Sequence, residues 1–280
     1  MKLWVVGAKG LLGSSLKKKA PNSIGSSKDE ADVTSLSSLR AFLNKHPGIT
    51  HIVNASAFSL VDLAEKEKES AYLVNAIGPE NLGIIAKEMG AKMIHISTDY
   101  VFPGNVHRPL HEEDLVSPVN YYGETKLEGE KRLLSVFPSA CIIRTACLFG
   151  KGGKNFVARM FDLIQEKDEI YLSDDQTNSP TYVEHLTEVI LKMLNRSGIY
   201  HFSNQGEASK YTFGKEIYDF AKANGIEVKT KKIIPVKSSH FPECCSRPMY
   251  SSFDLSKIAK IVGNPAPWQE ALMTFLESTL

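Results

Sequence analysis

An α/β protein built on a doubly wound parallel sheet, with a smaller lobe formed by the second half of the chain, is the fold that the sequence predicts. Three observations predict it. Short apolar runs alternate with helix-period segments over the first 150 residues, the pattern of parallel strands joined by crossover helices. The first run leads straight into a glycine-rich turn, GAKGLLG. Beyond Gly150 the regular alternation stops and shorter, more polar segments take over. Composition agrees: 280 residues with 42% apolar, 23% charged and 9% aromatic side chains describe a globular chain that buries a large core without cross-links. Thirty-three Lys+Arg against 32 Asp+Glu leave a net charge of +1, which excludes the basic field that nucleic-acid binding needs.

Strands are expected at residues 2–7, 23–27, 51–56, 92–97 and 140–148, the short runs of that alternation. Helices are expected between them, at 11–19, 36–46, 65–75 running on past Gly78 to Met89, and 121–136. Thr34, Asp62 and Asn120 stand where N-caps are wanted, and Lys17, Lys18 and Lys19 close the first helix, where cations suit its dipole. The second half reads as a helix (156–165), a short strand (170–172), a polar loop (174–181), a helix (183–194), a strand (199–204), a helix (210–224) and a strand (227–235). A Pro-, Cys- and Ser-rich stretch follows at 242–252. Residues 1–149 therefore read as a nucleotide-binding domain to which 182–204 return, and 150–181 with 205–280 as a substrate-binding lobe. The start carries one lysine and a five-residue apolar run, too short for a signal-peptide core, and no run approaches the ~20 residues that span a bilayer. Cys141, Cys147, Cys244 and Cys245 hold no CxxC spacing and read as reduced thiols in a cytoplasmic protein rather than as a metal site.

The turn at 7–13 has the spacing GxxGxxG. Gly7, Gly10 and Gly13 permit a tight turn, close approach of a pyrophosphate to the backbone and close helix-to-strand packing. Leu11 and Leu12 open the helix whose N–H groups and dipole face the phosphates. The spacing alone also fits a purely structural turn; its place after the first strand of a βα series ties it to a dinucleotide. NAD sites carry an acidic residue about 20 positions past the first glycine, and this chain has Ser26, Ser27 and Lys28 there. Two hydroxyls and a cation suit a 2′-phosphate, so NADPH is favoured, with NADH as the alternative. Tyr122 and Lys126 lie four residues apart on one helix face, an arrangement in which the ammonium lowers the phenol's pKa toward a working range. Thr98 and Asp99 end the fourth strand, where ligands of open α/β sheets bind, although the same pair also suits a simple turn cap. His95, in mid-strand, reads as a core histidine.

In order, GAKGLLG, NASAFSLVDLAE (54–65), VNAIGPENL (74–82), HISTDYVFPG (95–104), YYGETKLEGE (121–130) and IIRTACLFG (142–150) resemble the extended short-chain dehydrogenase/reductases, and within them the dTDP-4-dehydrorhamnose reductase family. KNFVARM (154–160), DDQTNSPTY (174–182), GIYHFSN (198–204) and SRPMYSSFDLSKI (246–258) extend the likeness over nearly the whole chain. The resemblance implies a Rossmann-type fold with a catalytic trio at Thr98, Tyr122 and Lys126. It implies cofactor contacts at Gly10 to Gly13, at Asp32 and Val33 beside the adenine, and at Ala57, Phe58 and Ser59 near the ribose and nicotinamide. Thr98, Asp99, Cys147, Asn155 and Arg247 fall at positions that meet the sugar nucleotide. The implied reaction is NADPH-dependent reduction of a C4 ketone, with a nucleotide sugar as partner, in a monomer or homodimer. Cys147 stands where this family has Trp and Phe149 where it has Tyr, so another 4-keto nucleotide sugar is an alternative substrate. A regulatory subunit like the β-subunit of methionine adenosyltransferase is a non-enzymatic alternative from the same branch. Dehydration calls for an Asp-Glu pair after the active-site Thr; here Asp99 is followed by Tyr100.

Overall fold

The computed structural model describes residues 1–241 and 245–279, so Cys244 and the start of the Pro/Cys/Ser-rich stretch lie outside the described residues. β1 (Leu3–Val6), α1 (Leu11–Lys19), β2 (Ile24–Ser26), α2 (Leu36–Lys45), β3 (His51–Asn54), α3 (Val61–Ala64), α4 (Lys68–Tyr72), α5 (Gly78–Met89), β4 (Lys92–Thr98), α6 (Tyr121–Val136) and β5 (Cys141–Thr145) form the first half. The second half adds β6 (Leu148–Phe149), α7 (Phe156–Glu166), β7 (Glu169–Ser173), β8 (Thr177–Asn178), β9 (Thr181–Tyr182), α8 (Val183–Met193), β10 (Gly198–His201), β11 (Ala208–Ser209), α9 (Lys210–Ala223), β12 (Lys232–Val236), α10 (Ser256–Val262) and α11 (Trp268–Glu277). Six strands make one parallel sheet in the order β10-β5-β4-β3-β1-β2. The order reverses between β1 and β3, and the carboxyl ends there are where such sheets take ligands.

Strand alternation sorts the core into two halves. Leu3, Val5, Val53, Ile94, Ile96 and Ile143 face α1, α8 and the second-half helices α7, α9 and α11. Trp4, Val6, Ile52, Met93 and Ile142 face α2, α5 and α6. Both sides of the sheet are therefore covered, which is why β1 is buried at all four positions and reads as a continuous apolar run. Asn120 caps α6 by accepting from the Gly123 N–H at 2.8 Å, and the three lysines close α1 as expected. No helix of the described residues is long and apolar enough to cross a membrane.

Several expectations change. Ser35, not Thr34, caps α2; Thr34 instead donates its N–H and hydroxyl to Asp32. Asp62 lies inside α3, and its carboxylate binds Arg247 rather than capping a helix. The helix expected through residues 65–89 is broken into α4, a π-helical turn at Leu73–Ile77 and α5. The strand expected at 140–148 ends at Thr145, because Cys147 adopts φ +42 and turns the chain toward β6, which pairs with β9. The polar loop at 174–181 contains β8 and β9, and the strand expected at 227–235 runs instead from Lys232 to Val236. The helices α10 and α11 have no counterpart among the expected elements. Trp268 on α11 is 1% exposed and packs edge-on against Phe213 of α9.

Candidate active site

At the carboxyl ends of β1, β3, β4 and β5 lies a cleft of about 430 Å³ lined by Gly10, Leu11, Leu12, Ala57, Ser59, Thr98, Asp99, Tyr122, Lys126 and Cys147, among others. A second cleft of about 520 Å³ shares Lys210 with it and is walled by residues of the second half, including Arg247. The glycine turn is built by close approach. Gly7 sits at φ +79, and a Cβ there would stand 2.8 Å from Ser56 N, so the loop after β3 closes against the loop after β1. A Cβ on Gly13 would stand 2.1 Å from Gly7 O. Gly10 caps α1 without a side chain, which leaves the first N–H groups of the helix facing the cleft.

Thr98 is 6% exposed; its hydroxyl donates to Asp99 Oδ1 at 3.0 Å and accepts the Tyr100 N–H at 3.2 Å. Asp99 is 2% exposed and also accepts from Ser251 Oγ at 2.7 Å. Burial pushes its carboxyl up to about 6 against the pull of those two hydroxyls. Tyr122 leans edge-on against Tyr100, with ring centroids 5.7 Å apart. Burial raises its phenol to about 12, with the Thr98 hydroxyl pulling the other way. Lys126 is 1% exposed, and its Nζ donates to Ile96 O at 2.7 Å and lies 3.4 Å from His95 Nε2. Burial pushes its ammonium down to about 8, opposed by Glu130 one turn further along α6. The expected acidification of the phenol by the ammonium is thus corrected: burial dominates Tyr122, and the lysine is turned onto the β4 backbone.

The remaining expected residues divide. Ser26 is 1% exposed and its hydroxyl accepts from Trp4 Nε1 at 2.9 Å, so its side chain belongs to the core and not to a 2′-phosphate site. Ser27 N–H and Oγ both donate to Glu30 Oε2, at 2.8 and 2.9 Å, so a carboxylate already occupies the donors expected for the phosphate. Lys28 is exposed. Asp32 is taken up by Thr34, and Val33 is buried with its carbonyl accepting from Asn81 Nδ2 at 2.9 Å; neither lines the cleft. Phe58 is not among the residues that line the cleft, and its backbone exchanges hydrogen bonds of 2.9 and 3.1 Å with the Asn75 amide. Asn155 caps α7, accepting from Ala158 N at 3.2 Å and donating to Gly150 O at 3.0 Å, and is not among the residues that line the cleft. Arg247 lines the second cleft but bridges to Asp62 at 2.8 Å. Sequence reasoning missed Lys154, Asn178 and Lys210, which line the cleft, and Asn75, which fixes Phe58 from the π-helical turn. Such turns interrupt helices at functional sites, yet they leave no periodic signal. Cys147 Sγ lies 3.8 Å from Lys210 Nζ.

The model of the family described as the RmlD substrate binding domain matches residues 1–280. The chain belongs to this family. The spore coat polysaccharide biosynthesis protein SpsK of Bacillus subtilis is 36% identical to this RmlD-family chain over 282 residues, 99% of this chain and 97% of its own. A dTDP-4-dehydrorhamnose reductase of Aggregatibacter actinomycetemcomitans is 33% identical over 286 residues, covering 97% of each chain. The crystal structure of the dTDP-4-dehydrorhamnose reductase of Bacillus anthracis in complex with NADP superposes with a TM-score of 0.90 at 34% identity, over 100% of this RmlD-family chain and 99% of that one.

Proposed function

We propose that this chain reduces the C4 ketone of dTDP-4-dehydro-β-L-rhamnose to the alcohol of dTDP-β-L-rhamnose, using NADPH. What carries the reading is the meeting of Thr98, Tyr122 and Lys126 with the open N-terminus of α1 in one cleft, in a chain alignable end to end with dTDP-4-dehydrorhamnose reductases. The turn suits a pyrophosphate because Gly13 has no room for a Cβ and Gly10 adds no capping side chain in front of the α1 N–H groups. Gly10, Leu11 and Leu12 would hold the phosphates, and Ala57, Ser59 and Lys126 the nicotinamide end, where bound NADPH supplies the hydride. The 2′-phosphate would have to displace Glu30 from Ser27, with Lys9 and Lys28 as the nearby cations.

Tyr122 is the proton donor in this reading. A phenol pushed up to about 12 keeps its proton at neutral pH and releases it to the more basic alkoxide that forms at C4. Thr98 orients that oxygen, its hydroxyl being held at the end of β4 by Asp99 and the Tyr100 N–H. Lys210 and Lys154, with Arg247 beyond, offer cations to a diphosphate that runs from one cleft into the next. The small Cys147 on the cleft wall favours one second reading, reduction of a different 4-keto nucleotide sugar. Free thiols at Cys141, Cys147 and Cys245 suit a reducing cytoplasm, and the chain acts there as a monomer or homodimer. Incubation with NADPH and enzymatically made dTDP-4-dehydrorhamnose, followed at the NADPH absorbance, tests the reading. Turnover supports it; binding of both compounds without turnover makes the chain a regulator, and turnover of another 4-keto sugar alone gives the second reading.

A further inference from the structure

His95 is 0% exposed in mid-β4, and neither the cleft nor the proposed chemistry accounts for its imidazole. It stands directly across from Asn54 in the β3–β4 register. The Asn54 amide is fixed from its other side: Ser56 donates to Asn54 Oδ1 both its backbone N–H, at 3.1 Å, and its hydroxyl, at 2.5 Å. A backbone N–H can only donate, so the atom facing Ser56 is the amide oxygen and the NH₂ faces His95 Nδ1, at 3.0 Å. Nδ1 must therefore present its lone pair, and a neutral His95 carries its one proton on Nε2. That proton faces Lys126 Nζ, 3.4 Å away. An ammonium presents only N–H groups, so it meets this N–H as donor against donor. An uncharged amine presents a lone pair that accepts it while still donating to Ile96 O at 2.7 Å.

We propose that His95 is a positioning residue for Lys126: oriented by the Ser56–Asn54 pair, it presents an N–H rather than a lone pair to the lysine nitrogen and thereby favours its uncharged form. The other groups around Lys126 do not reproduce this effect. Glu130, on the same face of α6, pulls the opposite way, and its carboxylate is already engaged with Arg144 of β5 at 2.7 Å and with the Ser97 hydroxyl of β4 at 2.5 Å. Tyr122, one turn earlier on α6, keeps its proton, and Asp99 at the end of β4 is tied to Thr98 and Ser251. Burial holds His95 neutral, well below the usual histidine range, and lowers Lys126 in the same direction as the proposed contact. The consequence is that Lys126 changes charge within the working pH range, with the imidazole tautomer as the setting. The functional weight of that change rests on the reading of Lys126 as part of the reductase site.

Two measurements test the proposal. In the wild-type protein, ¹⁵N chemical shifts of His95 should show an unprotonated Nδ1 and a protonated Nε2; a proton on Nδ1 overturns the proposal without any substitution. In Asn54→Asp the carboxylate demands the proton on Nδ1, so Nε2 turns its lone pair to the ammonium. The Lys126 midpoint, read from its ¹³Cε shift, should then rise by about one pH unit, a tenfold gain in proton affinity. The same substitution made in a His95→Phe background supplies the charge without the imidazole and should move the midpoint by clearly less. An unmoved midpoint in Asn54→Asp, or an equal shift with and without the imidazole, rejects the proposal. Both readouts are made without substrate, so they stand apart from the proposed reaction. If the midpoint rises but the alkaline limb of kcat stays in place, His95 sets Lys126 and it is the catalytic reading of Lys126 that fails.

Discussion

Asp99→Asn offers a stability test that isolates one buried carboxyl. In the folded protein Asp99 ionises near 6 instead of its ordinary 3.8, because burial outweighs the hydroxyls of Ser251 and Thr98. A folded-state value above the unfolded one means that the folded chain binds the proton more tightly. Stability is then lost as pH rises from about 4 through 6, and the penalty is complete at neutral pH. The shift from 3.8 to about 6 corresponds to at most about 3 kcal/mol. Asparagine keeps the shape and does not titrate. Its NH₂ replaces an acceptor, and the hydroxyls of Thr98 and Ser251 can rotate to accept it, so whatever that exchange costs is independent of pH. The quantity to measure is therefore the difference in Tm between variant and wild type at several pH values from 4.5 to 8. At pH 4.5 the wild type already carries about 1 kcal/mol of that penalty, so about 2 kcal/mol remains to develop; at about 2 °C per kcal/mol for a chain of this size, the variant should gain roughly 4 °C on the wild type across that range. A difference in Tm that stays constant from pH 4.5 to 7.5 would refute the assignment of a buried, reluctantly ionised carboxyl.

Three further outcomes follow from particular contacts. Tyr122→Phe removes the proton donor and keeps the ring, so turnover should fall by at least about 100-fold with NADPH affinity little changed; near-normal turnover would remove Tyr122 from the mechanism. Gly13→Ala forces a Cβ to within 2.1 Å of Gly7 O, so NADPH binding measured by fluorescence titration should be lost, whereas retained binding would show that the turn is not the phosphate cradle. Glu130→Gln leaves Arg144, with its side chain only 3% exposed, without its 2.7 Å carboxylate partner; urea unfolding should report a loss of about 3–5 kcal/mol, and a loss under 1 kcal/mol would mean that the core readily rehydrates.

The parallel sheet was legible because its signals are local and periodic. β1 is apolar at every position because both faces are covered, and that reads in the sequence as an unbroken run ending at Gly7. The glycines were legible for a steric reason that operates over a few residues: Gly13 packs on Gly7 O, six positions back. The pairing of Tyr122 with Lys126 on one face of α6 required only the helical repeat. The C-terminal helices and the π-helical turn at Leu73–Ile77 escaped because one depends on packing by Trp268 and its neighbours, and the other inserts a residue without changing composition.

What a side chain does was another matter, since hydrogen-bond partners come from segments far apart in the chain. Ser26 and Asn155 are two of the polar residues expected at ligand positions, yet Trp4 takes the hydroxyl of one and the first turn of α7 takes the amide of the other. Cys147 was marked by the resemblance, as the residue standing where the family has Trp, but the left-handed backbone that turns the chain there after β5 is a property of the folded chain. Lys126 could be placed on the correct helix face from spacing alone. Its charge state could not, because that is set by burial and by His95 on β4, whose own tautomer is fixed by Asn54 on β3 and Ser56 beyond it. The sequence by itself determined the sheet, the turn and the helix that carry the site, because strand, turn and helix preferences act between near neighbours. The tertiary structure alone decided which donors meet which acceptors, because a hydrogen bond is won or lost within a few tenths of an ångström between residues that only folding brings together.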